Sequence, residues 1–382
     1  MTISLDELRQ RKRLGIVCGL MIVAILIAAL WPLDFLPPNK VGWLPEATGI
    51  RFGDAGVVVS NGSLKTTGTE SKTSCSLEIL LRPATVQSVH TILNFYVPGN
   101  PNQFVIHQYT NGLDLVDTLS TANVPDFYVP NVFQRGTLVL VTITSSPRGT
   151  TVYTNGTLAA YFPEFTISQN DFFGHIVIGT SAGHNEPWQG EVRGLAIYSR
   201  ALTQAEVLGD YLDWTAGRGV DGRGLGGAIA RYTFNEGAGR EIHSAVASGP
   251  DLEIPKRFKP PLKPLLESSV KEFRENSHYA HDFVVNIVGF VPLGFFVCAY
   301  CALARSRPRA ILCAVFTGGI LSFVIELLQA YIPQRSSGMT DIISNTLGAA
   351  LGAALARPSV VKAIFGTAKS TAGNGTSAPS QN

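Results

Sequence analysis

The sequence predicts a mixed fold, a four-helix transmembrane bundle with an all-β sandwich inserted between helices one and two. Two observations locate the parts. Four apolar segments sit at the ends of the chain, one near the N-terminus and three near the C-terminus. Between them runs a long polar stretch of short β-branched segments punctuated by Gly, Asn and Pro. Composition agrees with both. Mean hydropathy is +0.19, 45% of residues are hydrophobic and 15% charged, and 38 Gly with 22 Pro are too many for helices alone.

Length and charge bound the function. The 382 residues suffice for two domains, and a chain this apolar is no disordered regulator. Thirty basic against 28 acidic residues give a net charge of +2, which is no electrostatic footprint for nucleic acid. The five cysteines provide no disulfide framework, because Cys75 stands alone in the polar middle. Cys298 and Cys301 have C-x-x-C spacing inside an apolar run with no second ligand pair, which reads as membrane-helix filler.

The N-terminal segment begins with Ser4 and Glu7 as a capping box, then a basic cluster from Arg9 to Arg13. Residues 14–32 follow as the first membrane helix, closed by Trp31 and Pro32. No small-residue cleavage site follows, which disfavours a signal peptide. The other spans are residues 283–303, 310–332 and 342–356. Basic residues set the orientation. The N-terminal cluster, then Arg305, Arg307 and Arg309, then Arg357, Lys362 and Lys369 all fall on one side if there are four spans. Both termini are then cytoplasmic, in a bacterial inner membrane, and the sandwich is extracytoplasmic. Residues 1–13 form the cytoplasmic N-terminus and residues 357–382 a disordered cytoplasmic tail.

Residues 41–255 read as β. A strand over 137–144 is turned by SSPRGT and returns as TVYTNGTLAAYF, with Asn155-Gly156 as a tight-turn signal. A second hairpin runs through residues 104–109, Asn111-Gly112 and LDLVD. Further strands lie at 175–179 and 192–198, and only residues 203–214 look helical. Residues 256–280 form a basic, Pro-rich linker, in which Leu265, Leu266, Val270 and Phe273 could line a short interfacial helix.

Two resemblances follow. Ile178-Gly179, Trp188-Gln189-Gly190, Tyr198-Ser199-Arg200-Ala201-Leu202 and Thr203 to Glu206 resemble the closing signature of laminin-G-like, concanavalin-A-like jelly-roll domains. The run from Tyr232 to Gly239 is similar to a strand usually found near that domain's start, and here it comes late. The resemblance implies a jelly roll and a lectin-like role. Such sandwiches often hold calcium through loop oxygens, and the candidates are Asp54, Asn235 and Glu236, which otherwise read as turn residues.

The C-terminal quarter carries a polar constellation. Asp282 and Asn286 are four apart, Glu326 and Gln329 three, and Asp341 and Asn345 four, so each pair shares a helix face. Arg335 is the candidate counter-ion for Glu326. An ionisable residue inside a span is costly unless paired, so the set reads either as a polar pocket or as a packing clasp. Gly348 and Gly352 form a G-x-x-x-G pair suited to close helix packing. With Phe290 and Pro292-Leu293-Gly294 added, the complete spacing over residues 281–356 resembles the VanZ-like membrane family, named for glycopeptide resistance. The resemblance supplies no biochemical activity.

Two functions stay open. One is an envelope protein whose VanZ-like anchor displays a sandwich that binds a glycan, peptidoglycan or another envelope component. The other is a membrane enzyme or transporter acting on a lipid-linked envelope precursor through the polar pocket. A glycosidase is disfavoured: no E-x-D-x-E run exists, and Asp114 and Asp117 are three apart, hence on opposite strand faces.

Overall fold

The structure, a computed structural model, describes residues 5–65, 73–117, 127–217, 226–270, 273 and 279–365. It divides into two compact units. The capping box at Ser4, residues 271–272 and 274–278 of the segment expected to hold an interfacial helix, and the tail beyond Phe365 lie outside the described residues.

One unit is a two-sheet antiparallel sandwich spanning Asp34–Pro264 with Tyr331–Gln334. Its strands are β1 (Val41–Trp43), β2 (Ile50–Phe52), β3 (Val58–Ser60), β4 (Cys75–Pro83), β5 (Val89–Val97), β6 (Asn100–Tyr109), β7 (Gly112–Asp117) and β8 (Phe127–Val129). Then come β9 (Val139–Ser146), β10 (Gly149–Thr154), β11 (Thr157–Phe162), β12 (His175–Ile178), β13 (Gly190–Tyr198), β14 (Ala228–Tyr232), β15 (Glu241–Ile242) and β16 (Leu252–Glu253). One sheet has the order β1-β2-β13-β4-β9-β10-β11, with β14 also pairing with β13. The other has the order β15-β16-β3-β12-β5-β6-β7-β8. The late strand at Tyr232 therefore completes the first sheet from its far end in sequence, as a branch on β13.

Alternation builds the core. Leu77, Ile79 and Leu81 of β4, and Phe104 and Ile106 of β6, point into one cluster between the sheets. The closing signature has a steric basis. A Cβ on Gly190 would strike the Trp188 ring, and Trp188 is fully buried with its indole donating to Gln108 Oε1 at 2.7 Å. Helix α2 (Gln204–Thr215) starts on a capping box between Thr203 and Glu206, and Arg200 Nη2 pairs with Glu206 Oε1 at 2.8 Å. It covers the outer face of the first sheet through Val207 and Trp214.

The linker is less independent than its composition predicts. Phe258 is buried against Tyr96, Val177 and Ala182, and Leu262 N–H bonds to the Ala182 carbonyl. The helix expected near Leu265 is replaced at its start by extended chain, with Glu267 bridging Gly338.

The second unit is helical. It holds α1 (Leu5–Leu30), α3 (Tyr279–Ala302), α4 (Arg307–Gln329), α5 (Met339–Leu355) and α6 (Pro358–Phe365). Among the described residues α1, α3 and α4 are long and apolar enough to cross a membrane, over Leu8–Leu30, Ala280–Ala302 and Arg307–Gln329. The expected fourth span, α5, has only 17 residues, most of them Ala, Gly, Leu or Ile. α6 occupies the start of the segment expected to be a disordered tail. Small residues bring α3 and α5 into backbone contact. A Cβ on Gly348 would strike the Ile287 carbonyl, one on Gly352 the Val291 carbonyl, and one on Gly294 the Ala349 carbonyl.

Candidate functional site

In the helical unit the expected polar residues spend themselves on one another and on the backbone. Asn286 Nδ2 on α3 donates to Asp341 Oδ1 on α5 at 2.7 Å. Asn345 Nδ2, one turn further along α5, donates to Ser322 Oγ on α4 at 2.9 Å. Ser322 Oγ also approaches the Asp341 carbonyl at 3.4 Å. Glu326 is buried, and its Oε2 accepts from the Gly338 N–H at 2.8 Å. Gln329 Nε2 donates to the Ala29 carbonyl at 2.9 Å.

The anticipated pairing of Glu326 with Arg335 does not form. Arg335 Nε donates to the Trp31 carbonyl at 2.9 Å and its Nη2 to the Ala28 carbonyl at 3.2 Å. It thus serves the end of α1, whose last turn has no basic residue of its own and whose final carbonyls lack helical partners. Asp282 lies at the exposed start of α3 with His281 Nδ1 at 3.4 Å. Ser322 was missed in the sequence. Its signal was there, because it precedes Glu326 by four residues and so shares its helix face.

The outer face of the second sheet carries a different group. His107 on β6 faces outward between Val105 and Tyr109. Its Nδ1 lies 3.5 Å from Asp114 Oδ2 on β7, and its Nε2 lies 3.6 Å from Glu186 Oε2. Glu186 Oε2 also accepts from Thr91 Oγ1 at 2.6 Å. Glu186, in the loop before Trp188, is thereby fastened to the sheet. Burial works against the His107 imidazolium, but the adjacent carboxylates of Asp114 and Glu186 outweigh it and raise the pKa to about 9. The adjacent His107 imidazolium holds Glu186 down at about 2, against its own burial. Beside this trio, Tyr109 and Tyr128 are exposed and meet edge to face at 5.8 Å. Tyr128 sits opposite Asp114 in register, and Asn111 Nδ2 bonds to Asn131 Oδ1 at 2.9 Å nearby.

The calcium candidates do not assemble in this way. Asp54 pairs with Lys40 Nζ at 2.7 Å, and Glu236 Oε1 accepts from the His243 N–H at 2.8 Å. Among the described residues no group of three or more His, Cys, Asp or Glu is placed to hold a metal ion.

Residues 244–363 match the VanZ/LLP1 family model, and residues 53–208 match that of the concanavalin A-like lectin/glucanases superfamily. The chain joins a VanZ-like region to a concanavalin A-like one. The VanZ-like match covers α3, α4, α5 and most of α6, with the polar residues from Asp282 to Asn345, and the concanavalin A-like match covers most of the sandwich. A search of curated proteins finds no match. Among solved structures, the heptameric SAP-like pentraxin of Limulus polyphemus is 18% identical with a TM-score of 0.36, covering 56% of this chain and 92% of its own. A candidate carbohydrate-binding protein of Bacteroides ovatus is 13% identical with a TM-score of 0.36, covering 53% of this chain and 60% of its own. A Trypanosoma rangeli sialidase in complex with sialic acid is 13% identical with a TM-score of 0.35, covering 47% of this chain and 29% of its own.

Proposed function

We propose that this VanZ-like, concanavalin A-like chain is an integral membrane protein of the bacterial cell envelope that displays its sandwich outside the cytoplasmic membrane to bind an envelope glycan. The helices serve as the anchor, α5 makes the fourth crossing, and both termini are cytoplasmic. The supporting observation is a contrast. The conspicuous polar side chains of the helices are engaged with one another or with helix ends. The sandwich, by comparison, leaves Tyr109 and Tyr128 exposed beside His107, Asp114 and Glu186. Aromatic faces suit the apolar C–H faces of a sugar ring, and carboxylates with an imidazole suit its hydroxyls.

The test is binding of cell-envelope glycans and peptidoglycan fragments to the full chain in nanodiscs, with calcium and with chelator. Saturable binding that is lost in a Tyr109→Ala/Tyr128→Ala variant of unchanged melting temperature supports the reading. Binding that survives that variant removes this face.

One observation favours the second reading, a membrane enzyme or transporter for a lipid-linked precursor. Asn345 is buried in the helical unit, and its Oδ1 has no hydrogen-bond partner among the described residues. An acceptor left open beside Ser322 and Asp341 is where a polar head group would bond. Under that reading Asn345→Ala abolishes the phenotype of the intact gene while the double tyrosine variant does not.

A further inference from the structure

Two thiols meet at one end of the helical unit. Cys301 lies in the last turn of α3 and Cys313 in the second turn of α4, and the Cys301 S–H donates to Cys313 Sγ at 2.9 Å. Both are free and only partly buried, whereas Cys298, one turn earlier on α3, is buried. Cys313 also lines a cavity of about 600 Å³ with Arg305, Arg309, Leu312, Phe316, Thr317 and Ile320. Neither Arg305 nor Arg309 has an ion-pair or hydrogen-bond partner among the described residues. Access to Cys313 is therefore flanked by two uncompensated positive charges.

We propose that Cys301 and Cys313 are a dithiol that closes reversibly into a disulfide, with a small anionic disulfide admitted past Arg305 and Arg309 as the oxidant. The steps balance. The Cys313 thiolate attacks one sulfur of the incoming disulfide and expels the first thiolate, leaving a mixed disulfide on Cys313. The Cys301 thiolate then attacks Cys313 Sγ and expels the second. Two protein thiols and one disulfide become one protein disulfide and two small thiols, which carry away both protons. The bond ties the end of α3 to the start of α4, across a connection of only a few residues. Excess small thiol reverses it.

The charge complementarity selects an anion. Guanidiniums flanking a cleft raise the local concentration of anionic reactants and thus the encounter rate. A neutral disulfide gains nothing from them.

The test uses the full chain in detergent micelles. Oxidised glutathione is the anionic probe and 2-hydroxyethyl disulfide the neutral one, followed by alkylation, trypsin and mass spectrometry. Trypsin cuts the unaltered chain after Arg305 and Arg309, between the two cysteines, so a closed bond appears as two peptides joined, and the rates of the arginine variant are read from loss of alkylatable thiols. The expected product joins Cys301 to Cys313 and leaves Cys298 alkylated. Cys301→Ser should halt at glutathione on Cys313, and Cys298→Ser should close normally. Neutralising Arg305→Gln and Arg309→Gln together should slow oxidised glutathione about tenfold or more and leave the neutral probe unchanged. Two free thiols after oxidation, or a bridge to Cys298, overturns the dithiol. Equal slowing of both probes overturns the anion selectivity. If Cys301→Ser fails to fold, the peptide map of the unaltered chain decides alone.

Discussion

Arg335 donates to the Trp31 carbonyl at 2.9 Å, joining residues at opposite ends of the sequence. The interaction makes the arginine of the C-terminal region a cap for the N-terminal helix. Carbonyls at a helix end lack partners within the helix, and inside an apolar surrounding an unmet carbonyl is costly. Arg335→Leu should therefore destabilise the helical unit by about 2 kcal/mol, the range for hydrogen bonds from a charged donor. Arg335→Lys should retain part of that, because one ammonium can serve one carbonyl well and two poorly. Thermal unfolding in detergent, followed by α-helical circular dichroism, reads both. Equal losses for Leu and Lys would remove the capping role.

The α3–α5 contact predicts a contrast among glycines. Gly348→Ala and Gly352→Ala drive a methyl into the carbonyls of Ile287 and Val291, which are backbone and cannot swing aside. Each should lower the melting temperature and loosen the helices. Gly289→Ala on α3 meets nothing within 4 Å and should be neutral or stabilising by up to about 1 kcal/mol through helix propensity. A loss at Gly289 equal to that at Gly352 would point to glycine flexibility rather than close approach.

His107 and Glu186 predict a stability plateau. His107 has a folded pKa of about 9 against an ordinary 6.5, so its contribution is complete below pH 6.5 and is lost as pH rises through about 9. Glu186 has a folded pKa of about 2 against 4.5, so its contribution is present above pH 4.5 and is lost as pH falls toward 2. Together they favour the interval from 4.5 to 6.5. Glu186→Gln should lower the His107 pKa, read by the pH dependence of its imidazole NMR signals. An unmoved titration would show that Glu186 does not set it.

Glu78 titrates in the sense opposite to Glu186. Its carboxyl is buried under α2, where Oε2 accepts from Tyr198 OH and Trp214 Nε1, each at 3.1 Å. Burial, with the nearby Asp210 charge, raises its pKa from 4.5 to about 7. The folded state then holds a proton that the unfolded state has released, so stability falls as pH rises from 4.5 through 7. Glu78→Gln keeps an oxygen acceptor and carries no charge. It should flatten that slope and be relatively more stable at pH 8 than at pH 5. Parallel denaturation curves for the two proteins across that range would refute the assignment.

The sequence made the architecture legible where periodicity and turn chemistry act locally. The hairpin at Asn155-Gly156 forms with both residues at positive φ, 52° and 76°, the geometry Asn-Gly favours. The Thr203–Glu206 box starts α2 as its spacing implies. Partners across the chain were harder to read. Glu326 and Arg335 lie close in sequence with opposite charge, yet backbone groups of Gly338 and Trp31 take them up instead. Backbone donors and acceptors leave no mark in a residue pattern. The Glu186 anchor was hidden for a related reason, since its partners Thr91 and His107 come from strands far away in sequence. The linker misled because Pro and Lys mask Phe258, an aromatic that seats it.

The sandwich begins and ends beside itself. Pro38 bridges Arg257 antiparallel, Asn39 N–H bonds to the Lys256 carbonyl at 3.2 Å, and Phe258 N–H bonds to the Pro37 carbonyl at 2.8 Å. Backbones joined this way stand only about 5 Å apart, the spacing of neighbouring strands. The domain is thus a closed cassette whose two ends could be spliced by a loop of a few residues. Cutting out residues 39–256 and joining the ends should leave only residues 31–38 and 257–278 between α1 and α3. Insertion of the whole domain at that point need never have disturbed the helices around it.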